Sequence, residues 1–334
     1  MGFGWDATRD PCDDAVRAAA GQVRVALREL RGAAAADAGT GVTADVAVHE
    51  SRKALRRARA MAELLRPLAG ADLAGDLIDA VRGARRRLSA ARDGAVMSAA
   101  LRAAWRERVG PDGGREGRPP TSAVAPLRAV LEAERDAAPA RVEPETVAAI
   151  AAALEGARHD LRLLHAAARA AAGDLEPLGR GLRRMHRRAR AAAREAAGAA
   201  DGDGVARDGL GHDDAALHDA RKRYKELGYV MRWWAPAWRV PIGAWLEEAD
   251  ALADLIGADH DQVVLRSRLS TLEDAVDGEL LAQVLAGSER RSARLRVKAA
   301  RALARLAAEP SGAFAARHLA YMASARAWRL RRGA

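Results

Sequence analysis

The sequence predicts an all-α protein, and three observations predict it. Ala, Leu, Arg and Glu, all strong helix formers, dominate the long segments between Gly and Pro clusters. Apolar residues recur in those segments at helical spacing. No β-branched run of period two interrupts them, and aromatic residues make up only 4% of the chain.

Breaks fall at Gly32–Thr43, Gly110–Ser122, Ala137–Pro144, Gly198–Asp214 and Pro236–Pro241, where turn-forming residues cluster. The first helix is expected near 12–31 and carries a sparse basic stripe of Arg17, Arg24, Arg28 and Arg31. The second, near 44–66, sets Val48, Leu55, Ala58, Ala62 and Leu65 on one face. His49, Arg52, Arg56, Arg59 and Arg66 lie about 100° round from that face. Alanine-rich helices follow near 72–90, 94–109, 124–136 and 145–172. In the helix near 178–197, Leu182, Met185 and Ala189 face inward, with Arg183, His186, Arg187, Arg190 and Arg194 alongside. The helix near 214–235 buries Leu217, Ala220, Tyr224, Leu227, Met231 and Trp234 and sets His218, Arg221, Lys225 and Arg232 beside them. Four more are expected near 242–257, 261–275, 278–308 and 313–331. Asp93 and Asp261 read as N-caps of the helices that follow them.

The 334 residues suffice for one large domain or two ordinary ones. With 55 Lys+Arg against 45 Asp+Glu, the net charge of +10 points to an acidic partner: nucleic acid, an anionic membrane or a phosphate polymer. A single cysteine, Cys12, excludes an internal disulfide and a Cys-based zinc site, and suits a reducing cytoplasm. No signal peptide is legible at the N-terminus. The longest apolar runs, such as Thr146 to Leu154, are too short to span a bilayer, so no membrane insertion is expected.

A short basic motif occurs twice. His49-Glu50-Ser51-Arg52-Lys53 continues to Arg56, and His218-Asp219-Ala220-Arg221-Lys222 continues to Lys225. Two further segments repeat at nearly the same offset: Arg24–Glu29 with Arg190–Glu195, and Ala90–Asp93 with Ala258–Asp261. Three colinear matches imply a duplicated unit and two similar helical bundles related by a pseudo-two-fold axis. The first repeat is read as about 12–137 and the second as about 175–332, with the helix near 145–172 between the bundles.

Each copy lays a histidine and several cations along a stripe that borders the core. The stretch from His49 to Arg59 runs roughly 15 Å at 1.5 Å per residue, which suits an extended ligand. Arginine offers phosphate a planar fork of donors, lysine a point charge, and histidine a group that protonates near pH 6.5. A solvated charged face is the plain alternative, since Glu50 and Asp219 are ordinary partners for such cations.

Other motifs carry less. The pairs His159-Asp160, His212-Asp213 and His260-Asp261 resemble ligands of metal-dependent phosphohydrolases, but His260 aligns with Arg92, and a metal site tolerates no competing cation. Cys12 reads as a free thiol. There is no glycine-rich phosphate loop, no Gly-x-Ser-x-Gly and no catalytic carboxylate pair, so no enzyme, cofactor or metal is expected. Trp233, Trp234, Trp238 and Trp245 read as core.

The segments Val48-His49-Glu50-Ser51-Arg52-Lys53-Ala54-Leu55-Arg56-Arg57 and Leu217-His218-Asp219-Ala220-Arg221-Lys222-Arg223-Tyr224-Lys225, with Tyr229 after the second, resemble the two signatures of the CHAD domain, the conserved histidine α-helical domain. The resemblance covers about residues 10–332 as a single domain. It implies two four-helix bundles with internal pseudo-symmetry, and binding of inorganic polyphosphate on a basic surface, in the cytoplasm or at polyphosphate granules. The family often accompanies a triphosphate-tunnel metalloenzyme domain, whose strand repeats are absent from this sequence. The chain departs from the pattern at Gly228, where the first copy has Arg59, and its first helix is poor in cations. The expected ligand-binding set is His49, Arg52, Lys53, Arg56, Arg59, Arg183, His186, Arg187, Arg190, Arg194, His218, Arg221, Lys222, Lys225 and Arg232. The expected ligand is inorganic polyphosphate or another phosphate-rich polyanion. Nucleic-acid binding is the second reading and a phosphohydrolase built on the His-Asp pairs the third.

Overall fold

The computed structural model describes residues 3–35, 44–69, 71–88, 94–107, 124–137, 144–198, 214–272 and 277–333. These residues form eleven α-helices, two short 3₁₀ turns and no strand. The helices are α1 (Pro11–Ala35), α2 (Ala44–Ala69), α3 (Ala71–Arg87), α4 (Gly94–Glu107), α5 (Ala125–Ala137), α6 (Pro144–Ala170), α7 (Glu176–Ala196), α8 (Asp214–Trp234), α9 (Arg239–Leu269), α10 (Gly278–Ala308) and α11 (Ser311–Gly333).

They assemble as two four-helix rings. In the first, α1 packs on α2, α2 on α3, α3 on α6 and α6 on α1; in the second, α7, α8, α9 and α10 close in the same order. The stripes explain the inward faces. Val48, Leu55, Ala58, Ala62 and Leu65 of α2 are buried, as are Leu217, Ala220, Tyr224, Leu227, Met231 and Trp234 of α8. One continuous apolar core runs through both rings. α11 lies along α7 and completes the second bundle's outer side.

Three expectations are corrected. The helix over 144–170 does not lie between the bundles. It is the fourth member of the first ring, packed on α1 and α3, because Ile150, Leu154, Ala157, Leu161 and Leu164 give it a full apolar stripe. The first repeat also does not keep to itself: α4 leaves its ring and packs on α9 and α10. There Met97, Leu101, Trp105, Leu127 and Leu131 build a smaller core with Leu265, Leu269, Leu281 and Val284. Finally, 239–269 is one helix, not two. Asp261 sits inside it and caps nothing, while Asp93 lies outside the described residues. The interior Gly257 costs a helix only about 1 kcal/mol. The Arg221 guanidinium lies against it, with Nη2 only 2.9 Å from where a Cβ would stand.

Indole N–H groups tie the core together. Trp233 Nε1 donates to Asp14 Oδ2 at 3.1 Å and Trp234 Nε1 to the carbonyl of His318 at 3.1 Å, so both are core as expected. Trp238 departs from that expectation: it is 53% exposed and meets Tyr321 edge-on. Cys12 is a free, buried thiol, and burial pushes its pKa up to about 12, which leaves it inert at neutral pH.

The bundles meet where α2 packs on α7 and α8. Gly181 of α7 allows the closest approach, because a Cβ there would stand 2.0 Å from the carbonyl oxygen of Leu64. A backbone oxygen cannot rotate away, so the helices would have to part. Gly181→Ala is therefore expected to destabilise the protein by about 1–3 kcal/mol. Gly156→Ala, on α6 with open space around it, is expected to be neutral or stabilising by up to about 1 kcal/mol. Urea denaturation of both variants checks this; equal midpoints would refute the close contact.

Candidate anion-binding site

The two motif helices use their side chains alike. On α2, Arg52 Nη1 donates to the carbonyl of Leu88 just past α3 at 3.2 Å; on α8, Arg221 Nε donates to the carbonyl of Ala253 in α9 at 2.8 Å. Lys53 pairs with Glu50 at 3.4 Å and Lys222 with Asp219 at 3.9 Å. His49 and His218 are both exposed at the head of their stripes. Each arginine is thus aimed by a main-chain oxygen of the next helix in its bundle, and each lysine is held by an acid one turn earlier.

The stripes come together at the seventh residue after each histidine, Arg56 and Lys225. Both are half-buried, and neither has a hydrogen bond or ion pair among the described residues. Burial lowers the pKa of Lys225, and the charges of Arg221 and Arg56 lower it further, against Asp254 and Asp250. Burial likewise lowers Arg221, where Asp261 opposes the shift and Arg56 adds to it. Arg56, from the first bundle, therefore lies within charge-coupling reach of two cations of the second. Like charges held together at a half-buried place repel, and a bound anion would relieve that repulsion.

Arg57 joins this region although it lies off the stripe. It is half-buried under the Phe3 ring, 5.0 Å from its centroid, and its Nε is buried without a hydrogen-bond partner. Burial lowers its pKa; Tyr229 opposes this and Arg232 adds to it. The Arg232 guanidinium lies 5.9 Å from the centroid of Tyr229 and pairs with Asp250.

Three expected site residues are elsewhere. Arg59 is only 6% exposed and pairs with Glu226 of α8 at 3.4 Å. The second bundle covers the C-terminal half of α2, so the stripe goes underground after Arg56. His186 is fully buried, stacked on Phe314 at 4.0 Å and 18°, with Nδ1 3.0 Å from Ser311 Oγ. Burial holds its pKa at about 4, so it is neutral near pH 7. Arg190 turns to α10, donating from Nε to the carbonyl of Ala307 at 2.7 Å. Arg183, Arg187 and Arg194 remain exposed along the outer face of α7.

Under the convergence lies a buried ionic layer that the stripes did not foretell. Glu63 of α2, 3% exposed, receives Arg184 Nη2 at 3.1 Å and Arg188 Nη1 at 3.2 Å from α7, with Arg66 at 3.5 Å. Burial pushes its pKa up, but these arginines more than offset that and hold it below the usual carboxylate range. Burial pushes the pKa of Glu226 up, against Arg59 and Arg223. The arginines of α1 serve the first bundle instead: Arg17 pairs with Asp13 at 2.6 Å and Arg31 with Glu155 of α6 at 3.5 Å. Among the described residues no three His, Cys, Asp or Glu side chains form a group that could hold a metal ion. His212 and Asp213 lie outside those residues.

The sequence model of the CHAD domain matches residues 34–270. Among solved structures, the chain is similar to the crystal structure of the CHAD domain from the plant Ricinus communis. That similarity has a TM-score of 0.49 at 17% identity and covers 91% of this chain and 94% of that one. Comparison with curated proteins gives no match.

The geometry separates structural from available cations. Arg59→Ala removes the nearer of the two arginines that pair with buried Glu226, leaving Arg223 at 3.8 Å, and is expected to cost about 1–3 kcal/mol in stability. Arg56→Ala, three residues earlier and in no ion pair among the described residues, is expected to change stability by no more than about 0.5 kcal/mol. Chemical denaturation of the two variants measures the difference, and equal losses would contradict the assignment.

Proposed function

The chain belongs to the CHAD domain family, and from that premise we propose that it is a non-enzymatic module that binds inorganic polyphosphate across the α2–α8 junction. The family is associated with polyphosphate binding in general. What supports the reading in this chain is one observation: Arg56 and Lys225, equivalent positions of the two motif copies, are half-buried, unpartnered and charge-coupled through Arg221.

A phosphate chain laid over this point would meet cations from both bundles at once. His49, Arg52 and Lys53 continue the surface along α2, and His218, Arg221 and Lys222 along α8; Arg57 and Arg232 flank the crossing. From His49 to Arg56 the helix rises about 10 Å, so the stripes offer contacts to several successive phosphates. Arg183, Arg187 and Arg194 would extend the surface along α7 for a longer polymer. Half-burial strengthens each contact, because the local dielectric is lower than in bulk water. A polymer ligand makes granules of polyphosphate the expected place of work, alongside the cytoplasm. No helix among the described residues is long and apolar enough to cross a membrane.

Titration with long-chain polyphosphate tests the proposal. Affinity is expected to fall steeply with salt as counterions are released. The pair Arg56→Ala plus Lys225→Ala is expected to weaken binding at least tenfold and to reduce the salt slope by about one unit per cation removed. Unchanged affinity in that variant would refute the site. Displacement of polyphosphate by duplex DNA or RNA at equal phosphate concentration would instead make nucleic acid the ligand.

A further inference from the structure

We propose that His260 is a further phosphate-binding residue of the same surface, and that His260 and His218 act as a proton-linked pair that tightens binding as pH falls. This rests on the polyphosphate reading above.

The observation is a juxtaposition across two helices. The ring of His260, on α9, lies 5.7 Å centroid to centroid from that of His218, on α8, tilted by 53°. Both histidines are exposed, so an anion can reach them from solvent. A small void beneath the rings is lined by Asp214, Leu217, His218, Ile256, Asp259 and His260. Its two carboxylates are already engaged: Arg296 of α10 donates from Nε to Asp259 Oδ2 at 3.0 Å and also pairs with Asp214. Asp259 Oδ1 is buried without a hydrogen bond.

The charges facing the pair decide its protonation. From α8 come Arg221 and Lys222, which oppose a second positive charge, and Asp219, which favours it. From α9 come Asp259 and Asp261, the first held by Arg296 and the second coupled to Arg221. Two imidazolium rings side by side would repel each other as well. Burial, then His260, Arg221 and Lys222, keep His218 below its ordinary pKa. An incoming phosphate reverses this balance, because it supplies the missing negative charge and accepts from an N–H of each protonated ring. Binding then takes up protons, and by linkage affinity rises as pH falls.

The sequence repeat sharpens the point. Arg92 occupies the position that matches His260 in the first half.

The test measures the dissociation constant for long-chain polyphosphate from about pH 6 to pH 8 at fixed ionic strength, in wild type, His260→Ala and His260→Arg. The long chain keeps its own titrating end groups a negligible fraction. Wild type is expected to bind several-fold more tightly at the acid end. His260→Ala should lose most of that gain, so that its affinity changes far less across the range than that of wild type. His260→Arg should bind tightly throughout with a flattened profile, a rescue that a purely structural histidine would not show. Parallel profiles in wild type and His260→Ala would overturn the proton-linked pair and leave the polyphosphate reading standing. No binding by wild type at any pH would overturn both.

Discussion

Two buried carboxylates hold this molecule together where its halves meet. Glu63 and Glu226 sit between α2, α7 and α8, and neither could stay there alone, because an unpaired carboxylate in the interior costs several kcal/mol. Arg59 reaches across from α2 to Glu226, while Arg184 and Arg188 reach from α7 to Glu63. Each arm of the exchange belongs to a different bundle, so the ion pairs form only when the bundles are in register. Gly181 sets how near they come, since α7 touches the backbone of α2 there. With that contact fixed, the motif helices cannot drift apart, and the next turn of each one is brought to the same place.

Binding capacity follows from what the layer leaves over. It consumes Arg59, Arg66, Arg184 and Arg188, and leaves out Arg56, one turn before Arg59, and Lys225, the residue before Glu226. Those two cations are held close enough to feel each other and Arg221, and among the described residues neither forms an ion pair. Their stems rest on the neighbouring helices and their heads keep some water, so the desolvation cost is moderate. A flexible lysine-rich surface could attract a polyanion equally well at long range. Here the cations are pre-placed, which lowers the entropy lost on ordering them around a ligand.

Much of this was legible from the amino acids. Helix positions, the inward faces of α2, α7 and α8, and the twin His-x-x-Arg-Lys stretches follow from spacing alone, because burial in a bundle imposes a 3.6-residue period on the sequence. What the period cannot report is which outward-facing positions a second bundle will cover. Arg59 falls on the same wheel sector as Arg52, and only the packing of α8 against α2 distinguishes them. His186 and Arg190 were placed one sector too far outward, because α10 and α11 approach α7 from a side that carries polar residues. Arg57 lies outside the expected set because spacing cannot report that Phe3 and Tyr229 flank it. The acids misled too. Asp261 was read as a cap together with its repeat counterpart Asp93, yet α9 runs on through it, carried by Ile256, Leu265 and Leu269.

The central claim is that the two motif copies serve a single ligand at one crossing point. A crystal structure grown with a short polyphosphate addresses it most directly. The account predicts phosphate density bridging Arg56 and Lys225, with Arg221 donating to the same chain. Phosphate found only along Arg183, Arg187 and Arg194 of α7, with the Arg56–Lys225 junction empty, would contradict it.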